Sequence, residues 1–168
     1  MIFFAVIATT IFAYLQTERK KFLIANMSAI FFISISFLLK SAYVGFLIEI
    51  GMFIVHFVAI FTTEDTEKKL KLIIPPIAFI MVLFANENPS NSIFMALAVS
   101  LFVAGVFQKS MIHNKLFFIV GLIFLCIYSL LNGATEVAIS NIIGIGVLGA
   151  KALELRNSVK LQNVKINK

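Results

Sequence analysis

The sequence predicts an all-α membrane protein: seven transmembrane helices in a parallel 3+1+3 repeat of triple-helix bundles, N-terminus out and C-terminus in. Three observations predict it. Of the 168 residues, 61% are hydrophobic and only 13% charged. The apolar residues fall in seven runs, and the basic residues between those runs sort to one side.

Composition decides the solvent. A soluble chain of this size must wet much of its surface with polar groups, and a mean hydropathy of +1.04 leaves too few of them. The apolar runs lie at about 1–16, 22–39, 42–61, 70–86, 91–108, 115–131 and 134–154. Most are near the lower end of the roughly 17–25 residues a helix needs to cross hydrocarbon. Open strands would leave backbone groups unpaired in lipid, so each run is expected to be a helix. Cys126, the single cysteine, lies inside an apolar run and offers neither a disulfide nor a metal cluster.

Charge sets the direction. Arg19, Lys20 and Lys21 fall in the first loop, Lys68, Lys69 and Lys71 in the third, and Lys109 and Lys115 in the fifth. Lys151, Arg156, Lys160, Lys165 and Lys168 follow in the tail, and only Lys40 falls on the other side, a split of 13 to 1. The split holds only with seven crossings, and the positive-inside rule then puts the N-terminus outside. The net charge of +6 is thus read as orientation and not as a nucleic-acid surface. The first run, "MIFFAVIATTIFAYLQTERKK", carries its positive charge after the apolar stretch, the reverse of a cleavable signal, and is read as a retained helix. The tail "KALELRNSVKLQNVKINK" is expected to continue the last helix and then lie near the inner leaflet, each cation contributing about 1 kcal/mol against anionic lipid.

A shift of 93 residues lays spans two and three over spans six and seven. Ile30 falls on Ile123, Phe31 on Phe124, Ser36 on Ser129, Leu38 on Leu131, Val44 on Val137, Ile50 on Ile143 and Gly51 on Gly144. Each unit has three helices, a basic first loop and a short second loop. One linking span, 70–86, joins the units and gives them the same orientation.

With these features on view, the chain resembles the SWEET and PQ-loop superfamily, and the PnuC vitamin transporters share a similar plan. It is most similar to the bacterial YgjV-type inner membrane proteins. The likeness is carried by "ERKKFLIANMSAIFFISISFLLKSAYVGFLIEIGMFIVHF" and "HNKLFFIVGLIFLCIYSLLNGATEVAISNIIGIGVLGAKALE", with Tyr128, the Asn132–Gly133 turn, Glu136 and Asn141 at the family's spacing. The chain departs from the family in lacking a Pro-Gln dipeptide and in having no proline on spans one, two, five and six. SWEET-like carriers use prolines there as hinges, whereas Pro75 and Pro76 lie on the linking span.

"GFLIEIGMFIVHF" places Glu49 and His56 within span three. Glu49 and Asn141 each lie seven residues into their spans, at matching depth and one step from the repeat register. The resemblance implies an asparagine pair facing a central substrate at this depth. Asn141 matches it, and Glu49 departs from it. A carboxylate there favours a cationic or proton-coupled ligand, since ionisable groups inside a membrane mark pathways. His56 shares the face of Glu49 about 10 Å further on and reads as a second step toward the cytoplasm. Structural roles compete: Glu49 bonded to Asn26, Ser28, Ser34 or Ser36, His56 donating to a carbonyl or snorkelling, Asn141 as an interhelical amide. Tyr128 and Asn132 read as interfacial anchor and turn, and Glu136 as a charge complementing the helix dipole. Gly144, Gly146, Gly149 and Ala150 are expected to admit a neighbouring helix. "TTEDTEKKLK" reads as a solvated linker with Thr62 or Thr63 capping the next helix.

Walker A, HExxH, paired CxxC and GxSxG patterns are absent, so neither an enzyme, a cofactor nor a metal centre is expected. The reading is a small-solute transporter of the bacterial inner membrane. Its units are 1–61, a loop and linking helix at 62–90, a second unit at 91–154 and a tail at 155–168. The alternative is a non-transporting structural or sensor protein with a basic cytoplasmic tail. Expected partners are the lipid bilayer and a small-molecule or cationic solute, with no nucleic acid; a homo-oligomer is compatible with the chain.

Overall fold

A computed structural model describes residues 2–39, 43–85 and 89–166, and all its regular structure is helical. The helices are α1 (Ile2–Leu15), α2 (Arg19–Leu39), α3 (Tyr43–Phe61), α4 (Glu64–Ala85), α5 (Pro89–Val106), α6 (Met111–Leu131) and α7 (Thr135–Ile166). Three of them contain stretches long and apolar enough to cross a membrane: Arg19–Leu39, Met111–Leu131 and Val137–Val159. Phe4–Leu15, Phe46–Phe61 and Asn91–Val106 are shorter apolar helices.

Side-chain size is distributed inside out. The buried positions are rich in alanine, among them Ala13, Ala25, Ala29, Ala96, Ala98 and Ala138, while Phe84 (83% exposed), Leu72 (76%) and Phe61 (70%) point outward. Moving one large apolar side chain fully between water and an apolar medium is worth roughly 1.5–3 kcal/mol. About thirty such groups are exposed here, a sum of tens of kcal/mol against the ~5–15 kcal/mol that holds a typical domain together. Hydrocarbon removes that penalty, and small residues let helices approach where lipid provides no hydrophobic drive. The surface therefore points to a membrane protein.

Helices α1, α2 and α3 pack in chain order, as do α4, α5, α6 and α7, and α1 closes against α7. The turn α3–α4 is only Thr62 and Thr63, yet α4 leaves α3 and lies along α5. Its N-terminal turns explain why. The segment expected as a solvated linker is helical from Glu64, and Glu67 is buried against the Arg19 guanidinium. Thr63 precedes that helix and its hydroxyl bonds the Thr66 hydroxyl at 3.0 Å. Helix α6 likewise starts at Met111, four residues before the apolar run, because Asn114 and Lys115 are buried by their neighbours.

The C-terminus of α5 organises this end of the bundle. The last carbonyls of a helix have no intrahelical donor, and here three side chains supply one each. Gln108 Nε2 donates to Ala104 O (3.2 Å), Asn114 Nδ2 to Gly105 O (2.8 Å) and Arg19 to Val106 O (3.1 Å). Lys71 then donates to Gln108 Oε1 at 2.9 Å. The turn after α1 and the starts of α2, α4 and α6 thus gather at one end. Lys40 lies outside the described residues. Helix α6 ends in a Schellman turn: Gly133, at φ +71°, sends its N–H to Leu130 O, and Ala134 N–H reaches Ser129 O at 2.8 Å. Asn132 also caps by donating from Nδ2 to Tyr128 O.

Replacing Glu67 by Gln leaves a largely buried guanidinium without its counter-charge. Thermal unfolding in detergent should show a loss of about 1–3 kcal/mol. Glu18→Gln, which breaks the exposed Lys21–Glu18 pair, should change stability little.

Candidate functional site

His56 is fully buried and faces α2. Its Nδ1 lies 2.8 Å from Met52 O and its Nε2 2.8 Å from Asn26 Nδ2. A carbonyl only accepts and an amide NH₂ only donates, so the pair fits an imidazole protonated on Nδ1 and accepting at Nε2. Asn26 is thereby engaged by His56. The hydroxyls of Ser28 and Ser34 return to Ile24 O and Ile30 O of their own helix. Three of the partners open to Glu49 in sequence terms are thus engaged elsewhere.

Glu49, half-buried and two helical turns before His56 on α3, instead interacts electrostatically with Tyr14 on α1. Tyr14 is buried, and its ring packs edge-on against Phe118 with centroids 6.4 Å apart. The other edge of that ring meets α7 at Gly144: a Cβ there would stand 3.0 Å from Tyr14 Cε2 and 3.1 Å from Leu122 Cδ1. Asn141 is one turn earlier on α7, 7% exposed, and its Nδ2 is buried without a hydrogen-bond partner. An amide donor left open in an apolar bundle costs roughly 1–3 kcal/mol, so the arrangement holds a donor in reserve. Tyr14 packs α1 against α7 at this point. The structure does not join His56 to this group by any hydrogen bond among the described residues. Glu136 begins the first turn of α7, and its side chain lies outside the described residues.

Two contributors were not legible as such in the sequence. In the sequence Tyr14 reads only as part of the first run. Lys115 reads as a loop cation, but it is fully buried, donates from Nζ to Tyr14 O at 2.7 Å and sits 5.3 Å from the Phe22 ring centroid. Phe22 and Phe102 both pack on Phe118, at 5.1 and 5.2 Å. Lys115 therefore pins the C-terminal turn of α1 and with it the Tyr14 backbone. The one local signal for this is a lysine at the start of an apolar run with Phe118 three positions on.

The small residues of α7 divide. Gly144 makes the close contact just described, whereas a Cβ at Gly146 or Gly149 would meet open space, so the expected close approach of a neighbouring helix is found at Gly144 and not at these two. The tightest approach is Gly121 on α6, where a Cβ would stand 2.5 Å from the Phe102 ring. A separate cavity of about 300 Å³ between α3, α4 and α5 is lined by residues such as Ile48, Met52, Val55, Ala78 and Val103. Neither Glu49 nor Asn141 lines it, and its apolar walls suit hydrocarbon. Among the described residues no group of three His, Cys, Asp or Glu side chains could hold a metal ion.

No family model, curated protein or solved structure matches the chain.

Gly144→Ala should displace Tyr14 and lower stability by about 1–3 kcal/mol in thermal unfolding, as overpacking does. Gly146→Ala, with room for its methyl and better helix propensity, should be neutral or slightly stabilising.

Proposed function

We propose that this chain is a small-solute transporter of SWEET-like plan, seven spans as 3+1+3 with the N-terminus out, akin to the YgjV-type inner membrane proteins. One observation supports the reading: the buried Asn141 amide has no hydrogen-bond partner one turn from Gly144, where α7 meets the Tyr14 ring, and Glu49 acts electrostatically on the same tyrosine. An acceptor and an unpaired donor at mid-depth suit a polar solute with a cationic or hydrogen-bonding group, and an intramembrane acid is a pathway residue by default. In this reading Glu49 recognises the cation or exchanges the proton, and Asn141 donates to the solute. His56 is the next proton-carrying group toward the basic end, acting when its bond to Asn26 opens. The basic loops face the cytoplasm.

A second reading rests on α7. At 32 residues it spans about 48 Å. Its Lys151 and Glu154 are near Lys115 at the basic end, so three further turns continue past it. That projecting basic helix suits a partner-binding sensor or structural subunit.

Uptake into proteoliposomes across candidate cationic and neutral solutes, with and without a proton gradient, separates the two. A transporter requires flux in the wild type that falls at least tenfold in Glu49→Gln, a loss of about 1.4 kcal/mol or more in the barrier. Flux that is equal in the two proteins removes the acid from the mechanism. A stoichiometric partner without solute flux favours the second reading.

A further inference from the structure

A groove of about 540 Å³ runs between α2 and α3, lined by Ile24, Met27, Phe31, Phe53, Phe57 and Phe61 among others and by neither Tyr14, Glu49 nor Asn141. Two of its lining residues are polar. Ser28 bonds its own helix through Ile24 O, while Lys20 stands exposed at the basic end. The neighbouring cations are engaged, Arg19 by Glu67 and Lys21 by Glu18. Among the described residues Lys20 has no carboxylate partner. The groove is thus an aromatic trough with one available positive charge at its mouth.

Its length decides what fits. Phe31 follows Lys20 by eleven positions on one helix, a rise of about 17 Å. That is close to one leaflet of a hydrocarbon core roughly 30 Å thick. A helix from a second copy, about 10 Å across, would cover the trough but leave Lys20 without counter-charge. A lipid supplies both halves: hydrocarbon for the phenylalanines and an anion for the lysine.

We propose that this groove binds one anionic phospholipid from the leaflet on the basic side, with its phosphate on Lys20 Nζ and an acyl chain along Phe31, Phe57 and Phe61. The site is independent of any transported solute. Cationic side chains near an anionic surface set its selectivity, and the aromatic floor sets residence.

Native mass spectrometry of the full chain tests this, in mixed micelles holding phosphatidylglycerol or phosphatidylcholine of identical acyl chains. One phosphatidylglycerol should be retained in preference to phosphatidylcholine. Lys20→Gln should reduce that retention roughly fivefold, Ser28→Trp should abolish it by filling the trough, and Lys21→Gln should leave it unchanged. If Ser28→Trp fails to fold, Phe57→Ser at an exposed position takes its place with the same expected loss. Equal retention of the two lipids overturns the proposal. So does retention unaffected by Lys20→Gln, displacement of the lipid by glycerol phosphate alone, or a dimer that excludes lipid.

Discussion

A polar group shut inside an apolar bundle must be given a partner, and this constraint orders the whole molecule. Water is scarce there, so an unpaired donor or acceptor keeps its full desolvation cost. The end of α5 shows the constraint met. Three consecutive carbonyls take donors from Gln108, Asn114 and Arg19, and Arg19 also holds Glu67. Those bonds come from four different segments of chain, so satisfying one helix terminus fixes where α2, α4 and α6 begin. Buried His56 follows the same rule, with both nitrogens engaged.

Among the described residues four buried side-chain atoms are left without a partner, Arg19 Nε, Thr62 Oγ1, Asn114 Oδ1 and the Asn141 amide nitrogen, and Asn141 is the one beside the proposed site. It lies a turn from Gly144, where the absence of a side chain lets Tyr14 reach α7, and Tyr14 in turn is within reach of Glu49. Lys115 holds the Tyr14 carbonyl from the other side. Packing at the basic end is thereby coupled to the position of a ring at the proposed site. Helix ends and site share one rigid cluster around Phe118.

The seven apolar runs correspond to the seven helices, three of which hold stretches long and apolar enough to cross a membrane. Helix starts were less legible. The stretch 62–71 reads as linker because its charges suggest water, yet Glu67 is buried by a guanidinium 48 positions away. Lys115 counted correctly toward the charge asymmetry, but its partner at Tyr14 O is 101 residues distant, and no local pattern encodes that contact. Glu49 and Asn141 were legible because acids and amides are rare in such segments. The engagement of Asn26 by His56 in place of Glu49 was not, since helix rotation about α3 decides it.

The account rests on helices alternating across a bilayer with their basic ends together. Paired reporter fusions test it most directly, with one reporter active only outside the cytoplasm and one only within, placed at residue 1 and after residue 166. Opposite faces for the two ends are the expected result. Both ends on the same face would require an even number of crossings and contradict the arrangement on which the shared site depends.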